Sequence, residues 1–181
     1  SFGGTDQRNL TALVLRSLIN SERTFNINII VGLGYSDSNM EYLKKIIADS
    51  KGRQITVRKN VTDFSKYVFE ADLAICAAGR TMYEMMAVGT PCIIIAQNER
   101  ELSHLQSAAR YGLISLGLGE KLSEAKIRKT LEALIANHQI RIRLSAKMRA
   151  QNIRSGTSRV LSLIFNGYQK YKQQAEQIKD Y

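Results

Sequence analysis

Residues 78–84, Ala-Gly-Arg-Thr-Met-Tyr-Glu, carry the spacing in this chain most able to do chemistry. A glycine turn opening a helix leaves the amides of Arg80 and Thr81 free, and such amides receive phosphate oxygens. Glu84 falls about one turn inside the same helix. Helical side chains lean toward the N-terminus, so its carboxylate can reach back over the turn. There it can accept two hydrogen bonds from a vicinal diol such as a ribose. Diphosphate beside ribose makes a nucleotide. The alternative is an exposed acid that only compensates the positive helix end, and spacing alone leaves the two readings level.

Other residues fit the same chemistry less specifically. Gly3 and Gly4 follow an apolar residue and precede Thr5-Asp6, the mark of a strand-end turn leading into a capped helix. Two glycines also let a phosphate approach the backbone closely, although Gly-Gly turns are common. Asn98 closes another apolar run. His104 and His138 fall on predicted helix surfaces with no carboxylate at a useful spacing, and read as surface histidines rather than bases or metal ligands. The sequence has no G-x-x-x-x-G-K-[ST] loop, no zinc-finger spacing and no defensible Ser-His-Asp set. Cys76 and Cys92 both lie in apolar runs. They could pair or hold a metal, but two free core thiols in a reducing cytoplasm is the plainer reading. Nothing in the pattern calls for a cofactor or a metal.

The elements that must position these groups alternate along the chain. Residues 71–77 and 92–96 are short apolar runs of the kind buried on both faces of a parallel sheet. Between them, residues 80–88 place Met82, Met85 and Met86 on one helical face; Gly89 ends that helix and Pro91 opens the next strand. Further strands are predicted at 26–31, 55–57 and 113–116. Helices are predicted after Asp37 or Ser38, from a Thr62 cap to residue 70, over 99–111, after Ser123, and through Ile140, Leu144 and Met148. Gly156 should break that last helix before a final one. The strand due before Gly3 is almost missing, so the sequence is expected to be cut from a longer chain. Counting that strand gives an α/β fold, a doubly wound Rossmann-like parallel sheet of about six strands with extra C-terminal helices. Residues 1–156 form the expected domain, and 157–181 a C-terminal helix and frayed tail. The glycine turns and Asn98 then share the carboxyl edge of the sheet, where such folds bind ligands.

A chain of 181 residues can bury a real core, and no apolar stretch approaches the roughly 20 residues of a membrane span. The net charge of +10 is unevenly placed: residues 121–181 hold thirteen Lys and Arg against four Asp and Glu. Such a basic surface suits solvent, another domain, or an anionic membrane. No aromatic side chains interleave with the charges as a single-strand nucleic-acid binder requires, so no specific nucleic-acid partner is expected.

Together, Phe-Gly-Gly-Thr-Asp at 2–6, Val-Gly-Leu-Gly at 31–34, Ala71 through Pro91, and Gln97-Asn98 resemble the C-terminal half of a GT-B protein, of the glycosyltransferase family 28 C-terminal type. The resemblance spans roughly residues 1–159. It is nearest to the UDP-sugar hydrolases of pseudaminic acid synthesis and to spore-coat polysaccharide proteins. It implies a cytoplasmic domain that binds a UDP-sugar, while an N-terminal domain of the same protein brings the acceptor site and the catalytic histidine. By position, Gly3, Gly4 and Thr5 would lie near the diphosphate, Val61 would offer backbone to uracil, and Gly79, Arg80 and Thr81 would line the phosphates. Glu84 would bind the ribose; Asn98 and Glu99 would face the sugar. No catalytic residue is expected among these 181. Arg80 stands where a small residue is usual, and Glu99-Arg100 where a glutamine is. The resemblance leaves open a UDP-sugar hydrolase, a family 28-type glycosyltransferase whose basic region meets a membrane, or a non-catalytic nucleotide-sugar-binding module.

Overall fold

The computed structural model describes residues 1–50 and 52–179. Strands and helices alternate: α1 (Leu10–Ile19), β1 (Ile27–Val31), α2 (Asp37–Ala48), β2 (Ile55–Lys59), α3 (Phe64–Glu70), β3 (Ala74–Ala77), α4 (Thr81–Val88), β4 (Cys92–Ala96), α5 (Glu99–Leu102), β5 (Ile114–Leu118), α6 (Glu124–Ala136), α7 (His138–Ala150) and α8 (Gly156–Lys179). Every strand pair is parallel. Ile27 lies opposite Ile55, Ala74 opposite Cys92, and Ile93 opposite Ile114, with an irregularity between Ile94 and Ala96. Every residue of β4 is buried, as a central strand covered on both faces must be. Its Ile93 and Ile95 share a core with Leu15 of α1, Leu43 of α2 and Ile127 of α6.

The fold class is the expected one, but the sheet is not. Among the described residues five strands form two sheets, β1-β2 and β3-β4-β5, in place of one sheet of about six. The position of the expected first strand is held only by the start of the chain: the Ser1 amino group donates to the Ile75 carbonyl at 2.9 Å, and the Ser1 carbonyl accepts from the Ala77 amide at 3.2 Å. Away from that end, β1 and β3 border a groove of about 890 Å³ lined by Phe2, Asn28, Ile30, Leu73 and Ile75 among others. Paired strands need backbones about 4.8 Å apart, and one or two residues cannot join two edges along their length.

Local chemistry explains the other departures. The α1 amides are satisfied from a distance: the buried Asp6 carboxylate accepts from Leu10 and Thr11, each at 2.8 Å. Ser36 rather than Asp37 or Ser38 caps α2, and Asp63 rather than Thr62 caps α3. The helix expected over 99–111 stops at Leu102 and tightens to a 3₁₀ turn over Ser103–Ser107.

The chain divides into two compact units, Ser1–Gln151 and Asn152–Tyr181. In the second, Asn152 adopts φ 47°, and Gly156 begins α8 instead of merely breaking the helix before it. That helix runs to Lys179, beyond the point where the sequence turns polar and fraying was expected. It exposes Val160, Leu161, Ile164, Phe165 and Tyr168. Asp180 and Tyr181, the end of the expected tail, lie outside the described residues. No helix among the described residues is long and apolar enough to cross a membrane.

Candidate functional site: the carboxyl edge of the strands

The strands β3, β4 and β5 end on a small buried cluster of Ala78, Ala96 and Leu118, against which Leu102 and Leu105 pack. That cluster seats α5 and the 3₁₀ turn over the strand ends. Ala78 extends the β3 ladder, its amide donating to Ile95 at 3.1 Å. Gly79 then turns the chain into α4. No side chain caps α4; the Met82 and Tyr83 amides donate to the Gly79 and Arg80 carbonyls, which leaves those of Arg80 and Thr81 for an outside acceptor. Thr81 is half-buried and Arg80 exposed. Met82, Met85 and Met86 are buried and fix the helix on the sheet, which leaves Glu84 exposed. Among the described residues the Glu84 carboxylate makes no hydrogen bond or ion pair.

The first turn of the chain joins the two sheets' edges. Ser1 is bonded to β3, and three residues later Gly4 meets the turn after β1: a Cβ on Gly32 would lie 2.4 Å from the Gly4 Cα. A Cβ on Gly34 would lie 2.9 Å from the Thr5 Cγ2. Gly3 needs its glycine for φ 78°. Val61 follows the end of β2, past Asn60, whose amide donates to the Val31 carbonyl. The expected phosphate and uracil residues thus stand at the carboxyl ends of β1, β2 and β3, with Gly3–Thr5 between the two sheets.

The segment after β4 holds one group the sequence did not single out, Glu101, and one it read only as a surface histidine, His104. Asn98 caps α5, its Oδ1 accepting from the Glu101 amide at 3.0 Å, and Glu99 is exposed. Glu101 folds back: its carboxylate accepts from the Gln97 amide at 2.8 Å, and Oε1 would sit 3.4 Å from a Cβ on Gly79. His104 brings Nδ1 to 2.7 Å from the Ala78 carbonyl. The carbonyl can only accept, so Nδ1 is the protonated nitrogen. No local pattern marks either residue; the one available signal was their i, i+3 spacing just after a strand end.

The remaining candidates lie elsewhere. Cys76 and Cys92 are free, buried thiols with sulfurs 3.3 Å apart, and burial pushes the Cys92 thiol up. His138 lies 3.3 Å from Arg141 on α7. Among the described residues no three His, Cys, Asp or Glu side chains are placed to hold a metal. A concavity of about 770 Å³, lined by Asn26, Arg53 and Gln54 among others, opens at the amino ends of β1 and β2. Neither it nor the groove beside β1 includes Gly79, Glu84 or Asn98.

Residues 2–163 match the model of the glycosyltransferase family 28 C-terminal domain. The chain belongs to this family. A relative in Bacillus subtilis, the spore coat polysaccharide biosynthesis protein SpsG, is 23% identical over 171 residues, which are 94% of this chain and 50% of that protein. An uncharacterized protein of Methanocaldococcus jannaschii, MJ1062, is 37% identical over 101 residues, 55% of this chain and 20% of that protein. Among solved structures, MurG of Acinetobacter baumannii superposes with a TM-score of 0.70 at 19% identity, over 83% of this chain and 44% of its own. The family 28 domain therefore has the fold of a GT-B half, and it spans half or less of the length of each of these proteins.

Proposed function

We propose that this domain is the nucleotide-binding half of an enzyme that acts on a UDP-sugar in surface polysaccharide or nonulosonic acid biosynthesis, releasing the sugar to water. The observation that carries the reading is an uncapped helix start beside an exposed, unpartnered carboxylate on the same helix. Gly79, Arg80 and Thr81 would take the phosphates, Glu84 the ribose, and Val61 the base. Gly3, Gly4 and Thr5 would close on the diphosphate from the neighbouring turn, and Asn98 and Glu99 would meet the sugar. The likeness to SpsG over nearly the whole chain supports the pathway. The family description favours a second reading, in which the sugar passes to an acceptor other than water.

In either reading the domain binds and orients. The edge offers amides, carboxylates and an arginine, groups that can hold and orient the diphosphate, but among the described residues none there has a partner that would make it the base for a water or an acceptor. An activated water or acceptor would come from an N-terminal domain of the same protein, closing over the nucleotide. The domain alone should therefore bind UDP weakly and turn over no UDP-sugar.

Calorimetric titration of the 181-residue chain with UDP, CMP and NAD tests the ligand, and Glu84→Ala tests the site. UDP should bind best, and losing the carboxylate should weaken it by about 1–3 kcal/mol, the worth of a charge-assisted pair of hydrogen bonds. Preference for NAD, or unchanged UDP affinity in Glu84→Ala, overturns the assignment.

A further inference from the structure

His104 does no work in the nucleotide reading, yet the fold carries it to the phosphate turn. The ring belongs to the segment after β4, and its Nδ1–H donates to the carbonyl of Ala78, the last residue in the β3 ladder. That carbonyl immediately precedes the amides of Gly79, Arg80 and Thr81. Left unpaired, it would hold the negative end of a peptide dipole beside groups meant for an anion. Turned freely, it would let the whole peptide rotate and take the Gly79 amide with it, since a glycine without a bulky neighbour offers little resistance.

The same turn has a second, opposing neighbour. The Glu101 carboxylate lies against Gly79 and is fixed there by the Gln97 amide. A negative charge beside a phosphate turn disfavours phosphate, so a donor on the adjoining carbonyl offsets it. Glu101 and His104 lie one helical step apart in the same short segment, seated by Leu102 and Leu105 on the strand ends. The sugar-side segment and the phosphate turn are thus tied at two points and move together.

We propose that His104 is the positioning residue of the phosphate turn: through Nδ1–H it fixes the Ala78–Gly79 peptide so that the amides of residues 79–81 face the diphosphate. The proposal rests on the nucleotide reading above for its ligand, but not for its geometry.

Replacement of His104 by Ala, Asn and Gln in the 181-residue chain separates the outcomes. An asparagine amide N–H takes the place of Nδ1–H; a glutamine amide reaches the place of Nε2 instead. The first readout is amide hydrogen exchange without ligand at Met82 and Tyr83, whose amides donate to Gly79 and Arg80. His104→Ala and His104→Gln should exchange there about five- to tenfold faster, the worth of one lost hydrogen bond, with Leu43 and Ile127 unchanged as controls. His104→Asn should remain within about twofold of the parent. The second readout is UDP affinity, which should fall in step with the exchange and recover in His104→Asn. Parent-like exchange in His104→Ala, or rescue by Gln and not by Asn, overturns the positioning role. If the parent fails to bind UDP while His104→Ala still loosens the turn, the nucleotide reading fails and the positioning role stands.

Discussion

Two of the glycine turns on the carboxyl edge, those at Gly32 and Gly79, hold glycine for different reasons. At Gly32 the reason is packing. A Cβ there would lie 2.4 Å from the Gly4 Cα, 2.6 Å from the Gly4 oxygen and 2.8 Å from the Gly3 oxygen. Backbone meets backbone, and only a residue without a side chain fits. Around it Tyr35 is buried, its hydroxyl donating to Asn9 at 2.7 Å and its carbonyl accepting from Lys59 at 2.9 Å. At Gly79 the nearest neighbour to a Cβ is the Glu101 oxygen at 3.4 Å, and φ is not in the left-handed region. The fold has room for a methyl there. A glycine the fold requires and a glycine the fold tolerates look alike in a sequence; what surrounds them tells which one structure needs and which one a ligand could use.

The largest expected effect follows from the first turn. Gly32→Ala should destabilise the domain by about 3 kcal/mol, the cost of overpacking where no side chain can yield. Gly34→Ala should cost less, since its close contact is the Thr5 methyl at 2.9 Å and that side chain can rotate. Urea midpoints measured on the same day for the parent and both variants check the order. A Gly32→Ala variant as stable as the parent would remove the distinction between the turns.

Tyr35 measures how closed the packed turn is. Burial, with the Asp6 charge adding to it, pushes its pKa from 10.0 up to about 12. The folded chain therefore holds the phenol proton more tightly than the unfolded one. This contribution is intact below about pH 10 and is lost as the pH rises toward about 12, amounting at most to about 2–3 kcal/mol. Other groups titrate in that range, so the comparison is between the parent and Tyr35→Phe. The parent's urea midpoint should fall more steeply from about pH 10 upward, between the unfolded value of 10.0 and the folded value of about 12. Parallel slopes would mean that water reaches the phenol and that the turn is looser than its contacts imply.

What the sequence conveyed differs between the two regions in the same way. Runs of continuous apolar residues placed β1 and β4 to within a residue or so, because burial on both faces leaves a local signature, and the spacing of Met82, Met85 and Met86 placed α4. The residues at the turns were legible for the same reason: Gly79, Arg80, Thr81 and Glu84 belong to one βαβ unit and keep their spacing wherever it docks. The division into two sheets was legible only indirectly, in the near absence of the strand due before Gly3, whose place lies between β1 and β3. The 3₁₀ turn at Ser103–Ser107 was hidden. Its helical spacing is sound, but Leu102 and Leu105 pack on the strand ends and His104 bonds the Ala78 carbonyl, contacts between segments far apart in the chain. Glu101 reached the site by the same route, which is why a local reading of 99–111 as one surface helix left both side chains without a role.

The smallest effect on stability should come from the second turn, and it sharpens the comparison most. Gly79→Ala puts a methyl 3.4 Å from the Glu101 oxygen, an ordinary contact, on a backbone that any residue adopts. Replacing glycine also narrows the unfolded ensemble, which by itself stabilises by about 0.4–1 kcal/mol. The urea midpoint should therefore stay level or rise slightly. Ligand binding should behave oppositely. The methyl would stand between the first amides of α4 and an approaching phosphate, and an anion held by backbone amides tolerates little displacement before its hydrogen bonds fail. UDP affinity should drop about tenfold or more, near the cost of one or two charge-assisted bonds. Stability and binding would then separate at Gly79, whereas Gly32→Ala, which presses on the Gly4 backbone, would lose both together. If Gly79→Ala binds UDP as the parent does, the turn is not a phosphate site. The glycine would then be a tolerated residue with no ligand behind it, and Glu84 would be left as an acid at the end of a helix.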